Sequence, residues 1–219
     1  MKIFVNRPFF AELIGTYALS SIVLITLTPD TPFPVATPIA AAITLGLFVY
    51  LIGNTSGCHI NPAISFAMFV SKQISATKLF EYIVAQFIGG YLAYLMISLY
   101  VPAGQETWLI PSHANEFTGV GEMLGAAFFA FGVFSTLYIK LEKSLIGVIV
   151  GASLLIGITI SHNASFGVLN PAVAFATKAW NWDYLVMPFV GTTIGALISM
   201  ALLKYNPTLE SKNISARRS

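Results

Sequence analysis

The sequence contains the run Gly57-Cys58-His59-Ile60-Asn61-Pro62-Ala63 in its first half and the run Gly167-Val168-Leu169-Asn170-Pro171-Ala172 in its second half. Asn is a strong N-cap residue and Pro is favoured at the first helical position, so each Asn-Pro-Ala triplet predicts the start of a helix. A single triplet is most often an ordinary helix start. Two copies in one chain indicate a duplicated structural unit, and this duplication decides the fold.

A second pair of segments supports the duplication. Ala11-Glu12-Leu13-Ile14-Gly15 is echoed by Gly121-Glu122-Met123-Leu124-Gly125, and 49 positions separate Glu12 from Asn61 whereas 48 separate Glu122 from Asn170. The two halves therefore keep register over two hydrophobic segments and a loop. Each half holds three such segments, an odd number, so the halves are predicted to be inverted repeats, which place a functional site near the membrane midplane.

The composition predicts a membrane protein. Apolar residues make up 56% of the 219 positions and charged residues only 9%, whereas soluble domains carry roughly 25% charged residues. A helix needs about 20 mostly apolar residues to cross about 30 Å of hydrocarbon. Six segments meet this requirement: Phe9–Leu27, Pro38–Gly53, Leu79–Tyr100, Phe117–Ile139, Leu145–Ser161 and Tyr184–Leu203.

The predicted fold class is therefore an all-α membrane protein with six transmembrane helices. Residues 1–219 form one domain, with a first repeat at about 9–100, a connecting loop at about 101–116, a second repeat at about 117–204 and a tail at 205–219.

Basic residues predict the orientation, because loops rich in Lys and Arg stay on the cytoplasmic side. Ten of the eleven fall on one side of the predicted spans, which places both termini in the cytoplasm. The plasma (inner) membrane is the expected location. These ten are Lys2, Arg7, Lys72, Lys78, Lys140, Lys143, Lys204, Lys212, Arg217 and Arg218, and Lys178 is the exception.

The two Asn-Pro-Ala helices are predicted to be re-entrant half-helices. The apolar stretch Pro62–Val70 has nine residues, about 14 Å of helix at 1.5 Å per residue. The two half-helices would enter the membrane from opposite sides, with both N-termini at its centre. Each N-terminus carries roughly half a positive charge, and this charge would repel cations. The amides of Asn61 and Asn170 would donate to the oxygen of a passing water and interrupt a proton wire.

The chain resembles the major intrinsic protein family of aquaporins and aquaglyceroporins over essentially its whole length. The resemblance implies the aquaporin-like fold, a passive channel for water and small neutral solutes, and a homotetramer in membrane lipid. It also implies that Glu12 and Glu122 brace the loops before the half-helices, and His59 is expected to help. The further segments that carry it are Gly15-Thr16, Ser56-Gly57, Ala85-Gln86-Phe87-Ile88-Gly89 and Pro188-Phe189-Val190-Gly191.

The outer constriction departs from the pattern of most water-selective members, which place an Arg where this chain has Val173. By alignment on the two motifs, the other constriction positions are Ala41, Ile158 and Gly167, and a two-residue slip would replace Ala41 by Ile43. Such a constriction is expected to be wide and apolar. The run from Asn170 to Ala176 is similar to plant tonoplast intrinsic proteins, and that similarity implies passage of glycerol, urea, ammonia or hydrogen peroxide.

Cys58, the single cysteine, is either a thiol near the pore or a small packed residue. His113 and His162 are too isolated to suggest a metal site, so no metal or cofactor is expected, and the basic tail is too short to predict a nucleic-acid partner.

Two other function classes are weighed against the channel. An enzyme is not expected, because no catalytic pair of residues stands out among the spans. An alternating-access carrier for a small neutral solute stays open as the alternative, although a carrier normally has a charged or ion-coordinating site where its helices break.

Overall fold

A computed structural model describes residues 6–27, 35–100, 115–139 and 141–203, and within these ranges the chain forms nine helices and no strand. The helices are α1 Arg7–Leu27, α2 Thr37–Ser56, α3 Pro62–Val70, α4 Ala76–Ser98, α5 Thr118–Tyr138, α6 Lys143–Ser161, α7 Pro171–Ala176, α8 Trp182–Leu185 and α9 Met187–Leu203.

The six predicted spans are confirmed. Helices α1, α2, α4, α5 and α6 each are long and apolar enough to cross a membrane, and α8 and α9 together make the sixth span. The break in that sixth span at Val186 is a difference from the predicted continuous helix. Pro188 explains it, because a proline lacks the N–H that would bond to the carbonyl of Tyr184 and its ring crowds that carbonyl.

The two Asn-Pro-Ala helices are both short. Helix α3 has nine residues, as the sequence predicts, whereas α7 has six, so that α7 is only about 9 Å long. Each half-helix packs mainly against helices of the other repeat: α3 lies against α9, and α7 lies against α4 and α1. The two repeats therefore interlock through their half-helices.

Matching helix pairs hold each repeat together at close range. Helix α1 packs on α4 in the first repeat, and α5 packs on α9 in the second. Gly191 and Gly195 of α9 lie against the carbonyl oxygens of Met123 and Ala127, where a Cβ atom would overlap those oxygens. Small residues allow this approach, which is a common basis of helix association in lipid.

Several predicted features lie outside the described residues. They are nearly all of the loop at 101–116, the tail at 205–219, His113 and six of the basic residues that set the predicted orientation, namely Lys2, Lys140, Lys204, Lys212, Arg217 and Arg218.

We expect Gly195→Ala to lower the free energy of unfolding by about 1–3 kcal/mol, because the new methyl group overpacks the α5–α9 contact. Thermal unfolding of the detergent-solubilised protein measures the change. Gly53→Ala is the matched control, since the nearest atom to its Cβ is a Val49 methyl carbon at 3.9 Å. A Gly195→Ala protein with the parent Tm would contradict the prediction.

Candidate pore

Asn61 and Asn170 cap the two half-helices in the same way. Both have extended backbone conformations. The Oδ1 of Asn61 accepts from the N–H of Ala63 at 2.8 Å, and the Oδ1 of Asn170 accepts from the N–H of Ala172 at 3.0 Å. Because each amide oxygen is engaged by its own helix, each amide nitrogen is turned away from that helix.

Each amide nitrogen donates to the opposite loop. Asn61 Nδ2 donates to the carbonyl oxygen of Leu169, and Asn170 Nδ2 donates to the carbonyl oxygen of Ile60, both at 2.9 Å. These bonds join residues more than one hundred positions apart and hold the two half-helix N-termini against each other. An amide NH2 has two protons, so each Asn keeps a second N–H for another acceptor.

Glu12 holds the loop before α3. Its carboxylate accepts from the Ser56 hydroxyl at 2.6 Å and from the backbone N–H groups of His59 at 2.9 Å and Ile60 at 2.6 Å. A fourth donor is the Gln86 side-chain amide at 2.8 Å. A fully buried carboxylate in a membrane span is costly unless it is satisfied, and four donors satisfy this one.

Glu122 holds the loop before α7 by the same kinds of hydrogen bond. Its carboxylate accepts from the Ser165 hydroxyl at 2.8 Å and from the N–H groups of Val168 at 2.9 Å and Leu169 at 2.7 Å. The structure therefore places both predicted carboxylates against the loops that the resemblance assigns to them.

The braced loops have unusual backbone conformations. Ile60 and Leu169, the residues just before the two capping Asn residues, have φ angles of 38° and 53°. The left-handed region is unfavourable for bulky side chains and above all for β-branched ones. The carboxylate bonds to these two N–H groups offset that strain, and they aim both carbonyl oxygens at the opposite Asn.

In the first repeat a His–Ser–Gln network adjoins the Glu12 site. His59 Nδ1 lies 3.0 Å from the Ser65 hydroxyl, and Gln86 Nε2 donates to that hydroxyl at 2.9 Å. The corresponding positions of the second repeat are the apolar residues Val168, Ala174 and Pro188. Sequence reasoning assigned no role to Ser65 or Gln86, although an amide inside a hydrophobic span is a recognisable pattern.

A cavity of about 420 Å³, here called the first cavity, lies on the side of the Asn pair where α5 begins. All four predicted constriction residues line it, together with both Asn residues and His59. Ile43, the alternative to Ala41, is instead 65% exposed on the outside of the helix bundle. Polar lining residues that sequence reasoning missed are Thr37, Asn115, Thr118, Asn163, Ser165 and Tyr184.

A second cavity of about 330 Å³ lies on the other side of the Asn pair, where α6 begins. Cys58 and His59 line it, and Lys143 lies at its edge. Cys58 is only 5% exposed, so its thiol belongs to the cavity wall rather than to the protein surface. His162 lines the first cavity, and the described residues contain no group of three or more potential metal ligands.

Pro62, Ala63, Pro171 and Ala172 are buried in the packing around the half-helices. The carbonyl oxygen of Ala63 accepts from the Thr192 hydroxyl at 3.0 Å, and Gly90 packs closely on the carbonyl of Ala172. In these two motifs the Asn residues reach the first cavity, while Pro and Ala build the helix starts behind them.

Six spans, two opposed half-helices and a cavity on each side of their junction define a membrane pore built from an inverted repeat. The sequence model of the major intrinsic protein family matches residues 2–202, so the chain belongs to that family. Members of this family are channels and not enzymes.

Relatives of known name agree with this assignment. A glycerol uptake facilitator protein-like 6 from Lactiplantibacillus plantarum is 26% identical over 90% of this chain and 98% of its own length. A probable aquaporin TIP1-2 from Oryza sativa subsp. japonica is 33% identical over 75% of this chain and 69% of its own length. The fold is similar to the aquaglyceroporin from Plasmodium falciparum, with a TM-score of 0.70 at 17% identity, covering 89% of this chain and 93% of that one.

We expect Glu12→Gln to destabilise the protein by about 1–3 kcal/mol, because an amide nitrogen would replace one acceptor oxygen and leave a buried donor unpaired. Glu122→Gln should do the same with a smaller effect, since Glu122 has three donors among the described residues and Glu12 has four. Thermal unfolding in detergent measures both. The exposed Glu116→Gln is the control, and equal Tm values for all three variants would refute the bracing role.

We expect a small mercurial to reduce water flux through the parent protein and to leave Cys58→Ser unaffected, because the Cys58 thiol lines the second cavity. Stopped-flow light scattering of proteoliposomes measures the flux. Equal inhibition of both proteins would place the reactive group elsewhere.

Proposed function

We propose that this chain is a passive channel that conducts water together with small neutral solutes such as glycerol, urea, ammonia or hydrogen peroxide. The observation that carries the proposal is the position of Asn61 and Asn170. Their amides meet where the two half-helices meet, they line the first cavity, and the second cavity lies just beyond them.

The wall of the first cavity favours neutral solutes. Among its described lining residues there is no Asp, Glu, Lys or Arg. Apolar side chains cover most of the wall, with hydroxyl, amide and imidazole groups at intervals. Such a surface offers hydrogen bonds to an uncharged solute but nothing that replaces the hydration shell of an ion.

Exclusion of cations depends on the half-helices in this proposal. The N-terminal dipoles of α3 and α7 point at the Asn pair, and the second N–H of each Asn donates to the oxygen of a passing water. Because Val173 stands where most water-selective relatives have Arg, and because α7 has only six residues, this barrier is weaker than one with an added guanidinium charge.

The broad solute range requires that the four constriction residues admit solutes larger than water. Ala41, Ile158 and Val173 bring only aliphatic side chains to the first cavity, and Gly167 brings no side chain. Of the relatives named above, one carries glycerol uptake in its name and another is named as an aquaporin. These names support a channel that accepts both kinds of solute.

A carrier for a small neutral solute is the second candidate, and the same lining residues argue against it. Carriers with broken helices usually coordinate an ion at the break, whereas here the junction holds two neutral amides. A carrier saturates with solute, while flux through a channel stays proportional to the gradient.

Assembly and location belong to the same proposal. We expect a homotetramer in membrane lipid, with both termini cytoplasmic and the chain in the plasma (inner) membrane. The exposed apolar faces of the helices support burial in lipid or against other copies, and the basic residues at the ends of the spans support the orientation.

We expect proteoliposomes of the parent protein to pass water, glycerol and urea in stopped-flow light scattering, with rates proportional to the solute gradient. Val173→Arg should reduce glycerol flux by about tenfold, which corresponds to about 1.4 kcal/mol of added barrier, and should reduce water flux less. Val173→Leu, which adds volume without charge, should have a smaller effect. Parent vesicles that pass water but none of glycerol, urea, ammonia or hydrogen peroxide would contradict the broad solute range.

A further inference from the structure

Of the residues that the structure describes, three line both cavities, namely Leu45, His59 and Phe129. Leu45 comes from α2, His59 from the loop before α3, and Phe129 from α5. A path from one cavity to the other therefore passes between these three side chains, here called the junction ring. The ring lies next to the Asn pair, on the side of the second cavity.

The junction ring is held by close packing. Leu45 and Phe129 are each only 2% exposed. A Cβ at Gly157 would lie 3.2 Å from the Phe129 Cβ, so α6 backs the start of that side chain. The His59 imidazole is fixed by the Ser65 hydroxyl at 3.0 Å and by an edge contact with the Tyr82 ring, whose centroid is 5.1 Å away. Leu45 and Phe129 are thus almost wholly inside the protein, and two neighbours hold the His59 imidazole in place.

The four-residue constriction has a different environment. Ala41, Ile158, Gly167 and Val173 all line the first cavity, and none of them lines the second. They surround part of a continuous space of about 420 Å³ that extends to the Asn pair. The first cavity extends past these four residues as far as the junction ring, so the four residues do not divide it.

We propose that the junction ring of Leu45, His59 and Phe129 sets the size limit of the channel, in place of the outer constriction. This inference rests on the proposed channel function and identifies the residues that determine its specificity. Two apolar walls restrict the cross-section, while His59 supplies the one side-chain hydrogen-bonding group of the ring. The geometry favours slender neutral solutes that pass lengthwise and keep a hydrogen bond to the imidazole.

The experiment compares solutes of increasing size. Proteoliposomes are assayed by stopped-flow light scattering with water, glycerol, the four-carbon polyol erythritol and the five-carbon polyol xylitol. Phe129→Leu shortens the ring's largest side chain but keeps it apolar, which limits the loss of packing. We expect its erythritol permeability to rise about tenfold relative to water, equivalent to about 1.4 kcal/mol off the barrier.

Two variants provide the comparison. Phe128→Leu makes the same chemical change one residue earlier on α5, where the side chain is 54% exposed on the outside of the bundle, and the ratio of erythritol to water permeability should stay at the parent value. Ile158→Ala enlarges the outer constriction, and its ratio should rise by less than twofold. Leu45→Ala is a second ring variant, and it too should raise the ratio of erythritol to water permeability. It keeps the test possible if Phe129→Leu does not fold.

The outcomes separate the two proposals. If the parent protein passes no more water than empty liposomes, the channel proposal fails. If the parent conducts and Ile158→Ala raises the erythritol ratio while the folded ring variants leave it unchanged, the channel stands and the junction ring is overturned. An increase in both ring variants with little change in Ile158→Ala supports the ring as the size limit.

Discussion

The reciprocal hydrogen bonds between the two Asn amides and the opposite loops are the interaction on which the rest of this fold depends. Asn61 and Asn170 each use the amide oxygen to start a half-helix and the amide nitrogen to hold the other half-helix. Irregular backbone at membrane depth is tolerated only where protein or a cavity satisfies its polar groups. The amide nitrogens satisfy the carbonyl oxygens of Leu169 and Ile60, and the amide oxygens satisfy N–H groups at the two helix starts. One N–H on each Asn side chain is left for the pore.

The buried carboxylates make that arrangement possible. The carbonyl oxygens that accept from the Asn amides belong to Ile60 and Leu169, whose left-handed backbone is unfavourable for such side chains. Glu12 and Glu122 bind the N–H groups of these same two residues. A hydrogen bond to a charged acceptor is worth more than a neutral one, so each carboxylate stabilises the conformation that its loop would otherwise avoid.

The two repeats share this plan but differ in ways that matter for the pore. The first repeat adds the network of His59, Ser65 and Gln86, whereas the second has apolar residues there and a half-helix of six residues instead of nine. His59, which belongs to this network, lines both cavities, whereas its counterpart in the second repeat, Val168, lines the first cavity. The duplicated backbone thus carries an asymmetric set of side chains around the path of the solute.

Local patterns in the sequence determined the six spans, the helix starts at both Asn residues and the inverted repeat, because hydrophobic length and N-capping depend on residues close together in the chain. The matched positions of Glu12 and Glu122 pointed to paired roles for the same reason. The sixth span was predicted as continuous, although a proline at position 188 already indicates a break in the helix just before it.

Other features were decided only by the tertiary structure. The Asn side chains find partners more than one hundred residues away, and Gln86 reaches Glu12 across the contact between α4 and α1. The junction ring combines Leu45, His59 and Phe129 from three separate elements. Sequence spacing alone did not identify these partners, because which side chains meet across a pore depends on how the helices rotate and pack against one another.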